Sequence, residues 1–192
     1  MRKNKYKESL ILVYLLFLGF GLLESNAQNG QVILPYWPDS VFVPSYNLSF
    51  RVPSVPATYT DHNQIMYSIE VDSTLALQTQ LFDSAYFMNN NVLVDSALIY
   101  ANGDTMAAMA LIFASATNSN VSMSATGSIS NRNYRDIGLE YQTLGSDLPY
   151  RSYIRFFYFN KRFMAFAVTG DANDDARLVY YRDLFFPSIK FY

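Results

Sequence analysis

The chain has 192 residues, no cysteine, one histidine and a formal net charge of −2. Without thiols it can form no disulfide and no thiolate metal site, and it lacks the cysteine that lipid attachment to an exported lipoprotein requires. One histidine is too few for the common zinc sites, and the balance of charge leaves no basic surface of the kind nucleic acid demands.

The chain opens with Arg2, Lys3, Lys5 and Lys7, followed by the apolar run Leu10–Leu23 and then "ESNAQN", with Ser25 and Ala27 at the small-residue positions of a cleavage site. Basic, apolar and small residues in that order read as a secretory signal peptide over residues 1–27. The apolar run of 14 residues is shorter than the roughly 20 that a spanning helix needs. Cleavage after Ala27 takes away four cations and two acids, leaving 10 Lys/Arg against 14 Asp/Glu, a net charge near −4. The expected product is exported, to the periplasm or outside the cell, and has no membrane span. It consists of an N-terminal arm over 28–45 and a single globular domain over 46–192, large enough to be held by its own core.

Along the domain, Asn47–Pro53 alternates as a strand, with Leu48, Phe50 and Val52 on one side. Pro53 and Pro56 mark the next stretch, to Asn63, as a loop. "QIMYSIEVD" and "LALQTQLF" read as strands joined around Asp72-Ser73, with Leu75, Leu77, Thr79 and Leu81 on one face. Residues 89–103 fit a strand or a first helical turn equally. Asp104 then caps a helix in which Met106, Met109, Ala110 and Phe113 recur at helical spacing, a pattern that usually means core. "NSNVSMSATGSISNRN" suits a strand and an exposed turn, and "DIGLEYQTL" suits another strand.

The segment 151–168, "RSYIRFFYFNKRFMAFAV", is the most informative part of the chain. A two-residue turn at Asn160-Lys161 pairs Phe159 with Arg162, Tyr158 with Phe163, Phe156 with Ala165 and Ile154 with Ala167. One face is then wholly apolar (Ile154, Phe156, Tyr158, Phe163, Ala165, Ala167). The other carries Tyr153, Phe157, Phe159, Met164, Phe166 and Val168, interrupted by Arg151, Arg155 and Arg162. A hairpin apolar on both faces needs cover on both, so it is expected at the centre of the sheet with helices on each side. In the closing "GDANDDARLVYYRDLFFPSIKFY", Gly170 is expected to break the strand and Asp171 or Asn173 to cap a helix. Ala176, Val179 and Tyr180 should face inward, Pro187 should stop the helix, and a short closing strand should follow.

The order of "LSFRVPSVP", "IGLEYQTL", "YIRFFYFNKRFMAFAV", the acid-capped helix and "LFFPSIKF" resembles the PsbP-like fold, over most of residues 46–192. That fold is named for a photosystem II subunit and is also known from a nuclear Ran-binding protein and many small exported bacterial proteins. The resemblance implies an α+β architecture, an antiparallel sheet with helices packed on both faces as an α/β/α sandwich. It implies no activity and carries over no functional residue.

For chemistry the sequence offers little. A Ser-His-Asp triad would have to use His62, next to Asp61, and no G-x-S-x-G elbow accompanies it. A loop histidine in water is the simpler reading. Beyond residue 27 the only glutamates are Glu70 and Glu140, both on expected strands. Asp171, Asn173 and Asp175 have the 1, 3, 5 spacing of a calcium loop, but Ala176 and Arg182 stand where such a loop needs Gly and Glu. No catalytic residue, metal site or cofactor is assigned. Five of the twelve Asp precede Ser or Thr, making Ser40, Ser73, Ser84, Ser96 and Thr105 candidate acceptors in a pattern resembling a periplasmic O-glycosylation motif. Ordinary turn and cap pairs account for the same pattern. The leading expectation is an exported, non-catalytic accessory or binding domain acting on an unknown protein or small ligand, its candidate interaction surface being Tyr36, Trp37, Arg151, Arg155 and Arg162. Two alternatives remain open: a carboxylate-dependent hydrolase of an extracellular polymer, and a structural or adhesive surface protein.

Overall fold

The computed structural model of the chain describes residues 37–61, 64–83, 99, 101–116, 119–142, 149–160 and 162–192. The expected signal peptide, Tyr36, His62, Ser84, Ser96 and most of the ambiguous stretch 89–103 lie outside them. In order, the described residues form β1 (Asp39–Val43), β2 (Leu48–Val52), β3 (Ala57–Asp61), β4 (Gln64–Asp72), β5 (Leu75–Phe82), α1 (Thr105–Ala116), β6 (Asn120–Ile129), β7 (Arg132–Gln142), β8 (Pro149–Phe159), β9 (Arg162–Asp171), α2 (Asp175–Phe185) and β10 (Lys190–Phe191).

Seven strands make one sheet in the order β3-β4-β5-β9-β8-β7-β6, and a second sheet has the order β1-β2-β10. All described pairings are antiparallel. The β8–β9 hairpin occupies the middle of the large sheet with the expected register: Phe159 faces Arg162, Tyr158 faces Phe163, Phe156 faces Ala165 and Ile154 faces Ala167. Asn160 adopts the left-handed conformation that the tight turn requires, with φ 51°. Since a slip of one residue would exchange the two faces, this turn decides which aromatics enter which core.

Both faces are indeed packed. Tyr153, Phe157, Met164, Phe166 and Val168 join Leu48 and Phe50 of β2 and Leu178, Tyr181 and Phe185 of α2. Phe50 lies at the middle of this cluster, with ring centroids 5.6 Å from Tyr67, 5.7 Å from Phe166 and 6.0 Å from Phe185. On the other face Ile154, Phe156, Phe163 and Ala165 pack with Ile137, Leu139 and, from α1, Met109, Ala110 and Ala114. Asp104 caps α1 as expected, its Oδ1 accepting from the Ala107 amide at 3.0 Å.

Four expectations are corrected. The layering is not an α/β/α sandwich: the described residues are mostly strand, and α2 shares its face with the three-stranded sheet instead of covering it as a helical layer. The stretch after Pro56 is strand β3, because the two prolines only bracket the turn and leave Ala57–Asp61 free to pair with β4. Gly170 does not end its strand; it pairs with Leu75 and Arg151, and β9 runs on to Asp171. The inward stripe of α2 is Leu178, Tyr181 and Phe185; of the expected stripe Val179 is partly buried at the core's edge, whereas Ala176 and Tyr180 are exposed, so the apolar pattern was assigned to the wrong face of the helix.

Candidate functional site

The three arginines of the central hairpin have separate fates. Arg155 is buried, and its Nε and Nη2 donate to the two carboxylate oxygens of Asp136, each at 2.7 Å. Its guanidinium lies 3.8 Å from the Tyr134 ring centroid and 4.7 Å from that of Phe186. A charge so enclosed is internal structure and cannot belong to an interaction surface. Arg151 bridges Glu140 at 2.5 Å and Asp175 at 2.7 Å. The Tyr153 hydroxyl donates to Asp175 at 2.6 Å, and this bond, with help from Arg151, holds the Asp175 carboxyl below the ordinary range. Arg162 is exposed, donates to the Ser45 carbonyl and lies 4.9 Å from the Tyr46 ring centroid. Trp37 is buried between Tyr181 and Phe185, with centroids 5.9 and 6.0 Å away. Among the described residues of the expected surface, Trp37 and Arg155 are interior, Arg151 is tied to two acids, and Arg162 is exposed.

Several candidate acids are occupied too. Asp72 accepts from the Thr74 amide and hydroxyl, both at 2.8 Å, and pairs with Arg177. Burial alone would push its carboxyl up, but the bonds from Arg177 and Thr74 outweigh that and hold it down. Asp104 pairs with Arg135 at 2.7 Å while capping α1. Two of the Asp-Ser/Thr motifs are thus a turn and a helix cap in physical terms. Ser40 and Ser73 are exposed, and Thr105 is half-buried in the first turn of α1. Asp171 accepts from the Asn173 amide at 2.8 Å, and Glu70 is exposed. Among the described residues no group of three or more His, Cys, Asp or Glu could hold a metal ion.

An open cleft of about 320 Å³ does gather chemistry, at one end of the large sheet. It is lined by Asp104, Thr105 and Met106 of the α1 entrance, Asn131, Arg132 and Asn133 at the β6–β7 turn, and Tyr158 and Phe159 at the end of β8. Local sequence builds each wall. Ser130 and Asn131 both have positive φ, 49° and 61°, which gives the hairpin turn the twist of its strands. Asn160 ends β8 just beyond the aromatic pair. Neighbouring strand residues point to opposite faces, so Tyr158 and Phe159 frame the cleft from two sides. Both remain exposed, at 40% and 41%. The hairpin pattern placed them on the core faces; β8 instead runs past the packed layers before it turns. The Arg132 guanidinium lies 4.7 Å from the Phe159 centroid and 4.3 Å from that of Phe191.

No protein-family model and no curated protein matches the sequence. Among solved structures, the cyanobacterial PsbP protein CyanoP from Synechocystis is similar over 87% of this chain and 99% of its own, with a TM-score of 0.50 and 9% identity. A Pseudomonas aeruginosa protein of unknown function, described as a putative regulator, is similar over 68% of this chain and 92% of its own, with a TM-score of 0.44 and 9% identity. A Bacteroides thetaiotaomicron protein is similar over 80% of this chain, which spans 48% of that protein's length, with a TM-score of 0.43 and 10% identity. The likeness to CyanoP is one of fold: the chain shares the PsbP-like arrangement of an antiparallel sheet with helices.

Proposed function

We infer that the chain is a non-catalytic accessory domain, exported to the cell envelope or beyond, that binds its ligand in the cleft at the end of the sheet. The observation that supports this reading is the pair Tyr158 and Phe159, two large aromatic side chains left in water at the mouth of a concavity. Exposed rings beside a few polar groups are the ordinary composition of a binding cleft. The ion pairs point the same way. Asp72, Asp104, Asp136, Glu140 and Asp175 each face an arginine, an arrangement that fixes structure and leaves those acids poorly placed as general acids or nucleophiles.

Export rests on the first 27 residues, and O-linked modification of Ser40 and Ser73 stays a proposal that their exposure permits. Protein isolated from its own host tests both: a mature N-terminus at Gln28 supports export, whereas an intact Met1 in the cytoplasm contradicts it, and an unmodified intact mass ends the modification proposal. Binding is tested by applying the purified protein, and a Tyr158→Ser/Phe159→Ser variant, to arrays of glycans and of peptides. Hits that vanish in the variant support the cleft; hits that persist in it overturn the assignment.

A further inference from the structure

Five of the described arginines stack on aromatic rings: Arg132, Arg155, Arg162, Arg177 and Arg182. Four also have an oxygen against the guanidinium. Arg155, Arg177 and Arg182 have a carboxylate, and Arg162 has the Ser45 carbonyl. Among the described residues, Arg132 alone in this set has neither. It is held from the side by Phe159 and Phe191, and its Nε is buried without a hydrogen-bond partner. Ring stacking fixes the plane of a guanidinium, and with Nε buried the two Nη groups form the edge left to take a carboxylate through two parallel bonds. Among the described lining residues the one carboxylate, Asp104, is already matched by Arg135. The chain beyond residue 27 is acidic overall, so this unmatched cation is a local exception.

We propose that the cleft binds an acidic carbohydrate, with Arg132 taking the carboxylate of a uronate unit. This rests on the cleft being the binding site, as argued above, and names its ligand class. Three features favour a sugar as the carrier of the acid. Tyr158 and Phe159 keep part of their apolar rings exposed at the cleft, surface that suits the C–H side of a sugar ring. Thr105, Asn131 and Asn133 line the same space with groups that both donate and accept hydrogen bonds, as sugar hydroxyls do. The cleft lies at strand ends and turns, not along a free strand edge, so a peptide cannot add there as an extra strand. Its volume stands near the small end of ligand-sized pockets, about 300–1,000 Å³, and suits about one or two sugar units.

The test is titration calorimetry of the purified protein with three probes: a galacturonate trimer, a neutral galactose trimer and tri-aspartate. The expected result is binding of the galacturonate trimer only, weakened by added salt. Arg132→Gln is expected to weaken it roughly tenfold or more, and Arg132→Lys less, because it keeps the charge without the fork. Because Arg132 also packs on Phe191, the exposed Asn133→Ala serves as a second variant that leaves the core untouched and should weaken binding severalfold. Equal binding of the neutral trimer overturns the acidic part of the proposal and leaves the cleft assignment standing. Binding of tri-aspartate alone overturns the carbohydrate, as does silence from all three probes, and the wider arrays then judge the cleft. Galacturonate binding that survives both Arg132→Gln and Tyr158→Ser/Phe159→Ser overturns this proposal and the cleft assignment together.

Discussion

Replacing Asp136 by Asn separates a structural role for Arg155 from a surface one. The pair is bidentate, with both N–O distances 2.7 Å, and its side chains are 11% and 12% exposed. Arg155 is further enclosed by Tyr134 and Phe186 and donates to the Phe186 carbonyl at 3.4 Å. Asp136→Asn leaves that guanidinium charged and desolvated with half its partnership gone, which costs about 3–5 kcal/mol. For a domain of this size such a loss lowers Tm by roughly 6–20 °C. Arg155→Met should cost a similar amount, because it strands the carboxylate. The double variant Arg155→Met/Asp136→Leu should recover much of the loss, since matched apolar replacements of a buried pair are often neutral or stabilising. Urea unfolding of the wild type, Arg155→Met, Asp136→Leu and the double variant closes the cycle and gives the coupling energy directly, with Asp136→Asn measured beside them. An Asp136→Asn cost below about 1 kcal/mol, the size of an exposed pair, would refute the reasoning.

Thr79 is 1% exposed and its hydroxyl has no hydrogen-bond partner, so Thr79→Val should stabilise the protein by about 1 kcal/mol in the same unfolding assay. A Cβ at Gly170 would collide with the Thr74 carbonyl oxygen, which is backbone, and come 2.9 Å from Leu178 Cδ2, so Gly170→Ala should cost about 1–3 kcal/mol. Asp72 and Asp175 have carboxyls held below the ordinary range, so their contribution is complete above about pH 4 and is lost as pH falls through the lowered values. Urea midpoints should therefore drop between pH 5 and pH 2, and Tyr153→Phe, which removes the largest cause of the Asp175 shift, should shrink that drop. The buried Tyr141 hydroxyl, raised to about 12 chiefly by burial, should ionise late in an ultraviolet titration, and Tyr141→Phe should remove a late step.

What was legible in the chain was whatever depends on local geometry. The alternation over 151–168 and one asparagine at a tight turn are enough to set the register of the central hairpin. Asp104 followed by Ala- and Met-rich positions marks the start of a helix for the same reason. What depends on distant partners was not legible. β3 carries no apolar run and becomes a strand only by pairing with β4. The second sheet joins β1 and β2 to β10, segments some 140 residues apart, and that pairing leaves no mark on any of them. Two apolar stripes of α2 fit helical spacing, Ala176-Val179-Tyr180 and Leu178-Tyr181-Phe185, and only the packing of the second on β2 and the hairpin aromatics decides between them.

The cleft was missed for a related reason. Tyr158 and Phe159 continue the apolar alternation of β8, and nothing in the alternation shows where the covering layers stop. Arg132 was passed over because an arginine beside a turn is ordinarily a solvated charge. Only its position between Phe159 and Phe191, with no acid against it, marks it as different from Arg135 three residues on.

The most direct check on the account is an amide-shift map of the labelled protein, recorded with the strongest ligand that the arrays return. Shifts concentrated at Asp104–Met106, Asn131–Asn133 and Tyr158–Phe159 are the expected result. A map centred elsewhere, on the exposed edge strand β3 or around Phe42 and Tyr192, with these residues unmoved, would contradict it.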